Sequence, residues 1–134
     1  GKAKWLREGT DVAILANGDT LCLALEAAEL LEQDGISARV LDFHTIKPLD
    51  VEAVNQCLEE IGRVITVEDH NILNGLGSAV AEVAAERGQG ILRRVGVQDQ
   101  FGTSAPYERL LARNGITAEH IAELARELQK MPGR

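Results

Sequence analysis

The sequence predicts a three-layer α/β/α domain on a mixed, mostly parallel sheet of five strands with one antiparallel edge strand. Three observations predict it. Four short runs, Val12 to Ala16, Ala38 to Phe43, Val64 to Val67 and Ile91 to Val97, are rich in β-branched residues and lack sustained polar alternation, as strands covered on both faces do. Segments of helical spacing lie between them, and strand–helix–strand repeats with right-handed crossovers give a parallel sheet with helices on both sides. Polar residues gather just after the strands.

In chain order, Lys2 to Leu6 precedes the turn-like Glu8-Gly9, which suits an edge strand forming an antiparallel hairpin with Asp11 to Ala16. Leu21 to Gln33 is a crossover helix rich in Ala, Leu and Glu, and Asp34-Gly35 ends it. Asp50 is the N-cap of the next helix, Val51 to Glu60, and Leu49 can pack on Val54 as a hydrophobic staple. Leu76, Ala79, Val80, Val83 and Ala84 form one apolar stripe on a helix from Gly75 to Arg87, which Gly88 ends. A short helix from Tyr107 to Arg113 stops at Asn114-Gly115. Thr117 then caps the last helix, with an Ile116 to Ile121 staple and a buried stripe of Ile121, Leu124, Ala125 and Leu128. No repeat, low-complexity tract or linker interrupts residues 1–134, so one domain is expected.

A chain of 134 residues removes roughly two thirds of its unfolded surface from water, so it needs neither disulfide nor metal for a core. The net charge, 14 − 21 = −7, argues against nucleic acid and anionic membrane as partners. Trp5, Phe43, Phe101 and Tyr107 are the whole aromatic complement, too few for stacking platforms. Cys22 and Cys57 lie apart in helical stretches and read as free, buried thiols. With no run of 18 apolar residues and no signal-peptide core, a cytoplasmic location is the expectation. The lack of an initial Met suggests a processed product or a piece of something longer.

Ligands of open α/β sheets collect beyond the carboxyl ends of the strands, where strand order reverses. The segments there are Asn17-Gly18-Asp19-Thr20, His44 to Lys47, Glu68-Asp69-His70-Asn71 and Gln98 to Ser104. Gly75-Leu76-Gly77-Ser78 opens a helix as a phosphate loop does, but Val80 stands where a third glycine would. Glu68, Asp69 and Asp19 would also surround the anion. Like charges about 5 Å apart repel by roughly 3 kcal/mol at an effective dielectric near 20, against about 0.3–2 kcal/mol from a helix terminus. The glycines therefore read as letting the helix approach the sheet. Glu68-Asp69-His70 holds the elements of acid–base or metal chemistry. Neighbours on an extended chain point in alternate directions, however, so helix capping, loop anchoring or contact with a partner is the favoured reading. His44 reads as a loop residue bonded to backbone, and His120 as a solvated residue in a first helical turn. No Gly-x-Ser-x-Gly, Walker, HExxH or CxxC motif is present, so no catalytic residue is assigned.

Three strings are more specific. They are His44-Thr45-Ile46-Lys47-Pro48-Leu49-Asp50, then Val64 to Asn71 leading to Gly75-Leu76-Gly77-Ser78-Ala79-Val80-Ala81-Glu82, then Val95-Gly96-Val97 with Phe101-Gly102-Thr103-Ser104-Ala105-Pro106 and Leu110-Leu111. Together, from Leu6 to Leu128, they resemble the C-terminal domain of transketolase. The likeness is nearest to the C-terminal halves of two-subunit transketolases, with deoxyxylulose-phosphate synthase and 2-oxoacid dehydrogenase β subunits more distant. Asn74 stands where that family has the first glycine of a Gly-Gly-x-Gly-Ser turn.

The resemblance implies a strand order of 1-3-2-4-5, with Asn17 to Thr20 facing Glu68 to Asn71 across a crevice. It implies a transferase of the pentose phosphate kind that moves a ketol unit between sugar phosphates with thiamine diphosphate. That cofactor and its divalent metal belong to pyrophosphate- and pyrimidine-binding domains whose motifs are missing here. This chain is thus expected to bind neither, and to be an accessory and assembly part, inactive alone, within a homo-oligomeric enzyme. The candidate interface or crevice residues are Asn17, Gly18, Asp19, Thr20, His44, Glu68, Asp69, His70, Asn71, Gly75, Gly77 and Ser78, with Glu68 to Ser78 the favoured contact surface. The alternative is a free-standing module that binds a small molecule or nucleotide in the strand-end crevice.

Overall fold

The computed structural model describes residues 1–71, 75–97 and 107–133. The expected segment Gln98 to Ser104 lies outside them. The elements are β1 (Lys4–Arg7), β2 (Val12–Ala16), a 3₁₀ turn (Gly18–Thr20), α1 (Leu21–Gln33), β3 (Ala38–Asp42), α2 (Val51–Glu60), β4 (Arg63–Asn71), α3 (Leu76–Arg87), β5 (Ile91–Val97), α4 (Tyr107–Arg113) and α5 (Ala118–Leu128). The strands pair in the order β1-β3-β2-β4-β5, and β1 alone runs antiparallel to its neighbour.

The expected hairpin between the first two strands does not form. Trp5 pairs with Leu41 of β3, and an irregularity separates that pair from Arg7 opposite Val40. The physical reason is that both edges of β2 are already taken, by β3 on one side (Ile14 opposite Val40) and by β4 on the other (Ile14 opposite Ile65). The open edge belongs to β3.

Alternation along the strands divides the core into two layers. Val12, Ile14, Ala16, Ile65 and Val67 pack under α1 and α5, whereas Ala13, Leu15, Leu41 and Val64 pack under α2 and α3. Every residue of β2 is fully buried. Each large side chain among them contributes roughly 1.5–3 kcal/mol relative to exposure.

The helix signals act as their chemistry requires. Asp50 Oδ1 accepts from Ala53 N at 3.1 Å, and Thr117 Oγ1 accepts from His120 N at 3.1 Å. Gly88 closes α3 at φ 71°, a left-handed conformation that favours glycine. Ile116 and Ile121 are both buried, as the staple requires, while Leu124 is only partly so.

Two expectations need correction. Cys57 is buried but Cys22 is exposed, because it falls on the outer side of α1. His120 is half-buried rather than solvated, and its ring lies over Gly115, where a Cβ would come 2.8 Å from His120 Cδ2.

One buried charge has no clear sequence signal. Arg39 of β3 is 5% exposed on the α2 side of the sheet. Its guanidinium stacks on the Trp5 ring, 4.6 Å from the centroid, and bonds Glu60 Oε1 at 2.7 Å. A weaker contact reaches Cys57 Sγ at 4.0 Å. Burial opposes the Arg39 charge, but the bonds to Glu60 and Cys57 outweigh it and hold its pKa raised.

Candidate functional site

The carboxyl ends of β2 and β4 meet where the crossovers diverge, α1 to one face of the sheet and α3 to the other. Asn17 to Thr20 and the end of β4 do come together there, but the gap between them is bridged. Thr20 is fully buried, and its hydroxyl lies 2.6 Å from Asn17 O and 3.0 Å from Val67 O, sharing one proton between two carbonyls. Asn17 is 9% exposed and its buried Oδ1 has no partner among the described residues, whereas Gly18 and Asp19 are exposed.

Glu68, Asp69, His70 and Asn71 were expected in a loop but belong to β4. The strand runs on because β5 continues alongside it, with Asn71 opposite Val97 after a register shift that follows Val67. Glu68 is fully buried, so its side chain lies behind the surface rather than on it. Its Oε1 accepts from Leu76 N and its Oε2 from Gly77 N, both at 2.8 Å. A carboxylate from the sheet thus satisfies two of the unpaired N–H groups that open α3, whose N-cap, Gly75, has no side chain to do so.

The glycines answer to this arrangement. A Cβ on Gly75 would overlap Glu68 Oε1. A Cβ on Gly77 would lie 2.9 Å from both Thr66 Oγ1 and Arg94 Cδ, so glycine at that position brings α3 down on β4 and β5. What resembles a phosphate loop is a helix start already filled by the protein's own anion. The sequence makes Glu68 both a repelling charge for an outside anion at this turn and a candidate cap of the next helix, and the structure shows it as that cap.

Among the other candidates, His44 is exposed, Ser78 and Asp69 are half-buried, and Asp19, Asp69 and Ser78 are all engaged in interactions. Among the described residues no three His, Cys, Asp or Glu side chains are placed to hold a metal ion. Burial pushes the Cys57 thiol up to about 11, so it carries no thiolate near neutral pH. An open groove of about 360 Å³ lies beside this region, between residues 46–51 and the first half of α3. No helix among the described residues is long and apolar enough to cross a membrane.

The sequence model of the family described as Transketolase, C-terminal domain matches residues 1–121. The chain belongs to that family. A 6-deoxy-6-sulfo-D-fructose transketolase subunit of Clostridium sp. is 47% identical over 128 residues, which is 96% of this chain and 40% of the relative. A putative transketolase C-terminal section of Methanocaldococcus jannaschii is 43% identical over 131 residues, 97% of this chain and 40% of that protein. A 1-deoxy-D-xylulose-5-phosphate synthase of Heliobacterium modesticaldum is 40% identical, with 96% of this chain and 20% of that one covered.

Among solved structures, a split-gene transketolase described as an inactive beta4 tetramer superposes with a TM-score of 0.90 at 40% identity. It covers 99% of this chain and 43% of its own. A transketolase of Pichia stipitis, at 21% identity and TM-score 0.67, covers 96% of this chain and 18% of that one and shares the fold. The transketolase C-terminal domain described here therefore spans about two fifths of the first of these relatives.

Proposed function

We propose that this domain is the accessory and assembly part of a thiamine-diphosphate-dependent enzyme that transfers ketol units between sugar phosphates. In this reading it supplies no reacting group and packs on the pyrophosphate- and pyrimidine-binding domains of the same oligomeric enzyme. The relatives named as transketolase subunits and sections support a division of the enzyme into parts.

The observation that carries the reading is the Glu68 carboxylate seated on the first turn of α3. A diphosphate with its divalent cation needs an anion cradle and oxygen ligands for the metal. Here the glycine-bearing helix start is filled by an internal anion, and a phosphate brought to it would be repelled. This turn does not fit the cofactor's diphosphate, which supports the reading that the other domains bind it.

The substrate is proposed only as a class, because the relatives' names range over a sulfo-sugar, apulose 4-phosphate and deoxyxylulose 5-phosphate. A free-standing module using the strand-end crevice has less support, since Thr20 and Glu68 fill the two sides of that crevice with bonds to backbone. The test is ketol transfer from a ketose phosphate to an aldose phosphate, measured with the catalytic part alone, this chain alone, and the two together. Activity that requires both supports the proposal. Turnover by this chain alone would refute it.

A further inference from the structure

We infer that the groove between residues 46–51 and α3 is the seat of the polypeptide that precedes this domain in its relatives, that is, of the catalytic part itself. The inference rests on the accessory reading above and names its contact surface. Two observations carry it.

The first is where an incoming chain is held. A Cβ on Gly1 would lie 2.7 Å from Thr45 Oγ1 and 3.6 Å from His44 Nε2, so residue 1 sits against the loop that becomes the groove wall. Ala3 N then donates to Asp50 Oδ2 at 2.9 Å, while the other oxygen of Asp50 caps α2. The matching family is a C-terminal domain, and its members here are more than twice as long as this chain. In them the larger part comes in ahead of β1, at the groove's rim.

The second is the chemistry of the lining. Ile46, Leu49, Ala79 and Val83 give the groove an aliphatic floor, and Val51 is 45% exposed at its edge. Lys47 and Glu82 flank the floor, so the matching surface is aliphatic with an acidic group opposite Lys47 and a basic one opposite Glu82.

The experiment is done on the whole enzyme, with this chain assembled on its catalytic part. Lysine acetylation with mass-spectrometric readout compares Lys47 with Lys130, which is exposed at the far end of α5. Protection of Lys47 by about tenfold relative to Lys130, together with cross-links from Lys47 to the catalytic part, is the expected result. Val51→Glu adds an acidic residue to the first turn of α2, where the helix dipole favours it, so the fold is retained. It should still weaken assembly by about tenfold, whereas Glu29→Arg on α1 should not. Cross-links from Lys47 to a second copy of this chain would overturn the inference and leave the accessory role intact. So would a fully active assembly with Lys47 unprotected. Failure of any assembly to form would overturn both.

Discussion

The carboxylate of Glu68 occupies the space that a side chain on Gly75 would need, and from there it holds Leu76 N and Gly77 N at 2.8 Å. Removing it leaves two buried donors without acceptors, each costing about 1–3 kcal/mol. Glu68→Ala should therefore destabilise the domain by about 2–6 kcal/mol, read from the urea midpoint. Glu68→Gln keeps one acceptor oxygen and should cost roughly half as much. If both variants unfold at the parent's midpoint, the carboxylate does not anchor α3.

The two glycines of this turn should respond differently to a methyl group. Gly75→Ala drives the new Cβ into a carboxylate fixed by its own bonds and should cost about 1–3 kcal/mol. At Gly77 the obstacles are Arg94, an exposed and flexible side chain, and the Thr66 hydroxyl, which has no hydrogen-bond partner among the described residues. Thr66→Ala removes that hydroxyl without breaking a described bond, so it should recover much of any loss caused by Gly77→Ala. In a double-mutant cycle the coupling should exceed about 0.5 kcal/mol. Strict additivity would mean the two residues do not press on one another.

Much of the fold is legible because its punctuation is local. Asp50, Thr117 and Gly88 mark helix ends through their own side-chain or backbone chemistry, and the structure uses all three in that way. The misreadings share a non-local cause. Glu68 to Asn71 look like a loop until β5 is beside them, β1 looks like half of a hairpin until both edges of β2 are taken, and Arg39 looks like any strand residue until Trp5 and Glu60 arrive from other elements. The candidate site followed the same division. Its glycines and acid were visible in the string, but which of them met, and that one filled the other's turn, was fixed by tertiary packing.

The two cysteines offer a test of the core on the α2 side. Cys22 is exposed and should react with a thiol reagent in the native protein, whereas Cys57 should react only on unfolding. Burial raises the Cys57 pKa to about 11, partly countered by Arg39. An unfolded thiol titrates near 8.5. Between these two values the unfolded chain loses a proton that the native one keeps, so stability is full below about 8.5 and falls as pH rises toward 11. Cys57→Ala should flatten that slope. Glu60 works at the opposite end: its bond to Arg39 lowers its pKa, so its contribution is present above the ordinary carboxylate range and is lost as pH falls below it.

Thr20 decides whether the point where strand order reverses is a lock or a receptor. Its hydroxyl reaches Asn17 O at 2.6 Å and Val67 O at 3.0 Å, tying the turn after β2 to the adjoining strand β4, with no exposed surface of its own. Thr20→Val keeps the shape and removes the donor, leaving two carbonyls to find other partners, and should cost about 1–3 kcal/mol. Thr20→Ser keeps the donor and loses a methyl, for about 1 kcal/mol. Denaturant midpoints in the order parent, Ser, Val identify the bond as the tie. A ligand-receiving crevice predicts another pattern, in which Val leaves stability unchanged and instead abolishes saturable binding of a sugar phosphate or nucleotide in calorimetry. The buried hydroxyl, already shared between two carbonyls at hydrogen-bond distance, favours the first pattern.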